Sequence, residues 1–184
     1  ALARVQGVCP QHRTKDTPAV DLAMRKMLLD AMLAIDLNRI DHHRQLTYLR
    51  TLEIAFNRFE RPEPAVVDAF LAKLDPLFPA KSPDQNWLLC ETLAWLQSPS
   101  LAAKAIALIK SAPTQEEQIE YARSNRFLQA GWTPELRTEY FEWFLKAANY
   151  RGGASFEKFI EFIRTDAVAS LPESDKTQLA ALLE

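Results

Sequence analysis

Apolar residues recur at three- and four-residue steps along almost the whole chain, with polar residues filling the positions between them. That is the period of helices buried on one side. No run alternates apolar and polar residues for long enough to predict a strand. The clearest stretch is Gly131 to Phe159, GWTPELRTEYFEWFLKAANYRGGASFEKF. Thr133 is a natural N-cap, and Pro134 fits the first helical position, where its missing N–H costs nothing. Leu136, Tyr140, Phe141, Trp143, Phe144, Leu145 and Ala148 then make a broad apolar face. Gly152 and Gly153 are predicted to take the positive φ that ends a helix. Ser155 is predicted to cap a second helix, with Phe156, Phe159, Ile160, Ile163 and Ala167 on one stripe.

The same grammar runs through the rest. Residues 1–6 read as a helix remnant and residues 7–16 as a polar loop. Thr17-Pro18 is predicted to open a helix, and residues 36–40 a short connection with a turn of 3₁₀ helix. Asp41 caps a long helix to about Phe59, and Arg61-Pro62-Glu63-Pro64 stops the chain and restarts it. Further starts fall at Ser82-Pro83, at Ser98-Pro99 and at Thr114, where Glu117 completes a capping box on a helix running to Gly131. Leu171-Pro172 is a break, and Ser174 opens the last helix. All eleven prolines fit a connection or a first turn.

The expectation is an all-α chain of about eight helices joined by short links. Antiparallel helix pairs in succession suggest a HEAT- or armadillo-like α-solenoid. A compact irregular bundle is the alternative. At 184 residues the chain is read as one helical-repeat domain, residues 1–184. Its ends look cut from something longer, so an excised domain is expected.

Charge and cysteines narrow the classes. A net charge of −2 gives no electrostatic footprint for nucleic acid. No apolar run approaches the ~18 residues of a membrane span. Cys9 and Cys90 are too few for a disulfide framework. Cys90, in Trp87-Leu88-Leu89-Cys90, reads as a core residue, and a bridge to Cys9 is open only in an oxidising compartment.

Candidate chemistry is sparse. Cys9-Pro10-Gln11-His12 is C-x-x-H, not the C-x-x-C-H of covalent haem attachment. His42 and His43 are adjacent and point apart on a helix, so they cannot clamp a metal as i, i+4 histidines do. A site joining Cys9, His12 and His42 is conceivable, against the plainer reading of solvated side chains. Glu116, Glu117 and Glu120 suit the positive end of a helix. Arg137, Glu139 and Glu142 read as a solvated face. No nucleophile elbow, phosphate loop or zinc helix is present. No catalytic, cofactor or metal residue is therefore assigned. The aromatic cluster exceeds what one helix seam needs. It is read either as core or, at Trp132, Tyr140, Trp143, Tyr150 and Arg151, as a candidate interface. Tyr150-Arg151, at the Gly-Gly turn, is the favoured contact.

Three features carry a resemblance: the QEEQIEYA run, the GWTPELR…YFEWF helix and the YRGGASF turn, all within Thr114 to Leu171. This stretch resembles the helical segment of large secreted haem proteins of planctomycetes and related bacteria. There a sugar-dehydrogenase-like β-propeller is followed by HEAT-like repeats and a C-type cytochrome domain. RPEPAVVDAFLAKLDPLFPAKSPDQNWLLCETLAWL is similar to the preceding repeats. The resemblance implies a periplasmic or secreted scaffold. Its partners would be neighbouring domains of the same chain or another protein. Haem and catalysis would lie outside these residues. A stand-alone adaptor for a protein or peptide is the alternative. An all-α enzyme with a site of distant acidic and His residues is a third reading.

Overall fold

The computed structural model describes residues 2–183. Among them are eleven α-helices and three 3₁₀ turns, with no strand. The chain packs as two compact units, Ala1–Pro76 and Leu77–Glu184, where the sequence suggests one domain.

The first unit holds α1 (Leu2–Gln6), α2 (Leu22–Ala34), α3 (His42–Phe59) and α4 (Pro64–Leu74). Helix α3 is the centre, packed by α1 and α2, while α4 packs on α2. Leu49, Leu52, Phe56 and Phe59 line its buried stripe, each at most 3 % exposed. Burying such side chains contributes roughly 1.5–3 kcal/mol apiece. Phe56 meets Phe70 of α4 edge to face, with ring centroids 5.3 Å apart. Three aspartates cap the segment starts. Asp21 accepts from the Met24 N–H, Asp36 from Asn38 and Asp41 from Arg44. The start of α2 therefore lies at Leu22, not at Thr17-Pro18. Thr17 is occupied in a turn of its own, where its hydroxyl accepts from the Thr14 N–H.

The second unit holds α5 (Pro83–Leu96), α6 (Leu101–Ser111), α7 (Gln115–Asn125), α8 (Pro134–Ala147), α9 (Phe156–Ala169), α10 (Glu173–Gln178) and α11 (Ala180–Leu183). Helices pack on their neighbours and on the next but one: α5 on α6 and α7, α6 on α7 and α8, α7 on α9, α8 on α9. The two short C-terminal helices lie against α8. Helix α5 is apolar around most of its girth, and Leu89, Cys90 and Leu93 are fully buried.

Several boundaries differ from the sequence reading. Ser100, not Ser98, precedes α6, and α7 stops at Asn125 rather than at Gly131. Gly152 and Gly153 do not take positive φ; Gly131 does, at 73°. A Cβ on Gly131 would lie 2.0 Å from the Pro99 carbonyl oxygen, so a bare α-carbon is needed where these two connections cross. The last helix is broken at Leu179, which divides α10 from α11.

Candidate functional site

The predicted interface residues cluster around α8, and the structure sorts them. Thr133 caps the helix by accepting from the Leu136 N–H at 3.3 Å. This orients the inward face that carries Arg137, Tyr140, Phe144 and Ala147. Tyr140 is 1 % exposed and Trp143 is 5 % exposed, so neither presents a surface to a partner. Tyr140 donates its hydroxyl to the Ala122 carbonyl on α7 at 2.7 Å. Its ring lies 5.3 Å from those of Trp132 and Phe144 and 5.4 Å from Phe141. The core reading thus holds for Tyr140 and Trp143. Trp132 and Tyr150 are half-buried, and Arg151 is exposed.

Arg137 is not on a solvated face. It is 4 % exposed, its guanidinium stacked 4.6 Å from the Trp132 ring centroid and paired with Asp175 of α10 at 3.1 Å. Burial lowers its pKa and Asp175 opposes that shift. The Nε approach to Asp175 is close enough for an ion pair but lacks a well-aligned hydrogen bond.

The organising residue is Gln118, which the sequence reading passed over. It sits on the inner side of α7 at 6 % exposure. Its amide oxygen accepts from Trp143 Nε1 at 3.3 Å, from Lys146 Nζ at 3.2 Å and from the Tyr150 hydroxyl. Its amide nitrogen donates to the Ala112 carbonyl at 2.9 Å. A carbonyl oxygen has two lone pairs, so three donors saturate it. One turn earlier, Gln115 takes both backbone groups of Arg151: it donates to the carbonyl at 2.6 Å and accepts the N–H at 3.2 Å. The Tyr150-Arg151 turn is therefore pinned in place by α7.

No family model, curated protein or solved structure matches this chain. Its chemistry must be read from its own residues. Cys9 and Cys90 are free thiols. Cys90 is fully buried, and burial pushes its thiol up to about 12, against the pull of hydrogen bonds from Asn125 and Ser124. Such a thiol is not a nucleophile near neutral pH. Among the described residues no three His, Cys, Asp or Glu converge in a way that could hold a metal, so Cys9, His12 and His42 do not form one site. No helix there is long and apolar enough to cross a membrane. The polar groups that do converge, around Gln118, are spent on one another. That arrangement fixes the turn at residues 150–151.

Only a weak signal in the sequence could have found Gln118. In QEEQIEYA it looks like one more polar residue. Its three-residue step from Gln115 places both on the flank beside Tyr121 and Ala122.

Proposed function

We propose that the chain is a non-catalytic helical-repeat scaffold, a spacer and docking surface within a larger secreted or periplasmic haem-containing oxidoreductase-like protein. One observation supports the repeat reading above all others. The C-terminal ends of α5, α7 and α9 are linked by side-chain bridges that run in the same sense. Gln97, after α5, donates to the Phe127 carbonyl at 3.2 Å and accepts from the Gln129 N–H at 2.7 Å. Gln129, after α7, donates in turn to the Ser170 carbonyl after α9 at 2.7 Å. Ion pairs follow the same succession: Arg123 of α7 with Glu91 of α5, and Arg126, just after α7, with Asp166 of α9. Links between the C-terminal ends of successive alternate helices fit a stack in which each helix pair contacts its neighbours. The haem protein context rests on the resemblance of Thr114 to Leu171.

The alternative, a stand-alone adaptor, is favoured by the pinned turn beside an open cleft. It is disfavoured on the α8 face that α10 and α11 cover. Intact mass of the natively expressed gene product separates the two. A far heavier species with C-type cytochrome absorbance supports the scaffold. A haem-free protein near 20.9 kDa overturns it.

A further inference from the structure

The second unit carries an open cleft of about 310 Å³ between the end of α8 and the start of α9. Its floor is apolar: Phe144, Ala147, Phe156 and Ile160. Its rim carries Tyr150, Glu157, Glu161 and Arg164. The volume lies at the bottom of the ~300–1,000 Å³ range of small-molecule sites, and suits one or two anchoring side chains better than a cofactor.

The charges on the rim decide what kind of chain brings those anchors. Arg164 is committed to the end of α11, donating to the Leu182 and Leu183 carbonyls at 3.1 and 2.8 Å. The Tyr150 hydroxyl is committed to Gln118. Glu157 and Glu161 are exposed and make no ion pair among the described residues. They stand one helical turn apart on the same side of α9, a spacing that matches two cations one turn apart on a facing helix. Lys158, the neighbouring cation, does not line the cleft. A second cleft, in the first unit beside Leu22 and Val66, shows the contrast. Its charges are already matched, Arg25 with Glu63 and Lys26 with Asp30.

We infer that the α8–α9 cleft anchors a basic amphipathic helix of a second polypeptide. Leu- or Phe-sized side chains would enter between Phe144 and Ile160, and Lys or Arg residues would meet Glu157 and Glu161. This rests on the docking-surface part of the reading above and adds the chemistry of the partner.

The test is fluorescence anisotropy on the whole chain with two labelled model helices of roughly 18 residues, long enough to hold a helical face. One carries a leucine stripe flanked by lysines, the other the same stripe flanked by glutamates. The lysine peptide is expected to bind about tenfold more tightly. A Glu157→Lys/Glu161→Lys variant should reverse that order, and Ala148→Phe, which plugs the cleft, should abolish binding at an unchanged melting temperature. Phe162→Ala, an exposed residue outside the cleft, should change nothing. Equal binding of the two peptides, or indifference to charge reversal, overturns the basic partner. Binding that survives the plug overturns the cleft as its seat. Neither result touches the scaffold reading, which the intact mass tests separately.

Discussion

The two units solve the same problem, tying connections to helices, with different side chains. In the first unit cations do most of it. Arg58 donates to the Gly7 carbonyl at 2.7 Å, Arg13 to Arg58 at 2.9 Å, Arg25 to Arg61 at 3.2 Å and Lys73 to Leu33 at 3.2 Å. Gln45, donating to Leu37, is the exception. In the second unit most of the task falls to amides, Asn86, Gln97, Gln115, Gln118 and Gln129, with Arg164 at the Leu182 and Leu183 carbonyls as the exception. A guanidinium or ammonium only donates, so it suits the unpaired carbonyls and negative dipole at the end of a helix such as α3. An amide donates and accepts. Asn86 takes both the N–H and the C=O of Ala80, as Gln115 does with Arg151. Satisfying both groups of one residue fixes its register as well as its position. Amides therefore suit a unit in which successive helix ends must align.

Alkali gives the largest expected effect and should strike the second unit harder. Burial raises the pKa of Tyr121 from 10.0 to about 12, helped by the charge of Glu117, and raises that of Tyr140 further. The first unit has one such phenol, Tyr48. In each case the folded state holds its proton to higher pH than the unfolded chain. The stability this represents is complete below pH 10 and is lost as pH rises toward 12 and beyond. Phenolate absorbance should therefore appear in a cooperative step together with loss of helix. Hydrogen exchange should show α7 and α8 opening before α3. A gradual titration with helix retained would contradict the burial.

Gly131→Ala comes next. The added Cβ meets the Pro99 carbonyl at 2.0 Å, and the residue is held at positive φ. A backbone clash cannot be relieved by turning a rotamer, so a loss of about 3 kcal/mol or more is expected in urea denaturation. Gly153→Ala, where the Cβ meets nothing within 4 Å, is the matched control and should change little.

These two glycines mark how far the sequence could be read. Helix existence was legible, because period, prolines and caps agree, as at Asp41, Thr114 and Thr133–Pro134. Asp41 and Thr133 give local chemistry that needs no tertiary context. Which glycine turns the chain was not legible. Gly131 could be read as a helix end, but that its α-carbon lies against the Pro99 carbonyl is a long-range fact with no local trace. The same holds at the site. Tyr140 and Trp143 read as surface or core from composition, and only the packing of α7 and α9 around α8 decides for core. Arg137 looked solvated because nothing near it in sequence announces Trp132 stacking on it and Asp175 reaching it from α10.

Gln118→Leu and Arg25→Met test the division between amides and cations directly. The leucine removes the acceptor of the buried Trp143 indole and the donor to Ala112, which should cost about 2–3 kcal/mol. Exchange protection should fall at 149–151 and at the start of α7, with the first unit unchanged. Arg25→Met keeps the apolar stem and loses the bonds to Arg61 and Glu63. It should cost about 1–2 kcal/mol, confined to the first unit. A change of protection in the opposite unit would contradict the division.

The smallest effects should differ in sign. Among the described residues, each unit has one non-glycine residue at positive φ: Glu60 at 66° in the first and Gln97 at 65° in the second. Glu60, with ψ of 174°, lies in a region that is almost glycine's alone and costs of order 1–3 kcal/mol. Its side chain supplies only an exposed ion pair to Arg13, worth about 0–1 kcal/mol. Glu60→Gly also adds entropy to the unfolded chain, about 0.5–1 kcal/mol. The balance is a gain of about 0.5–1 kcal/mol. Gln97, with ψ of 48°, sits in the ordinary left-handed cap, where the strain to be relieved is smaller. Its amide bridges Phe127 and Gln129, and glycine would lose both bonds. Gln97→Gly should therefore lose about 1 kcal/mol. Paired urea titrations with opposite shifts would show that the first unit uses its strained residue only to turn the chain, while the second also uses its own to align the next helix end. Equal shifts would remove that distinction, because the amide bridge would then be worth no more than a surface ion pair.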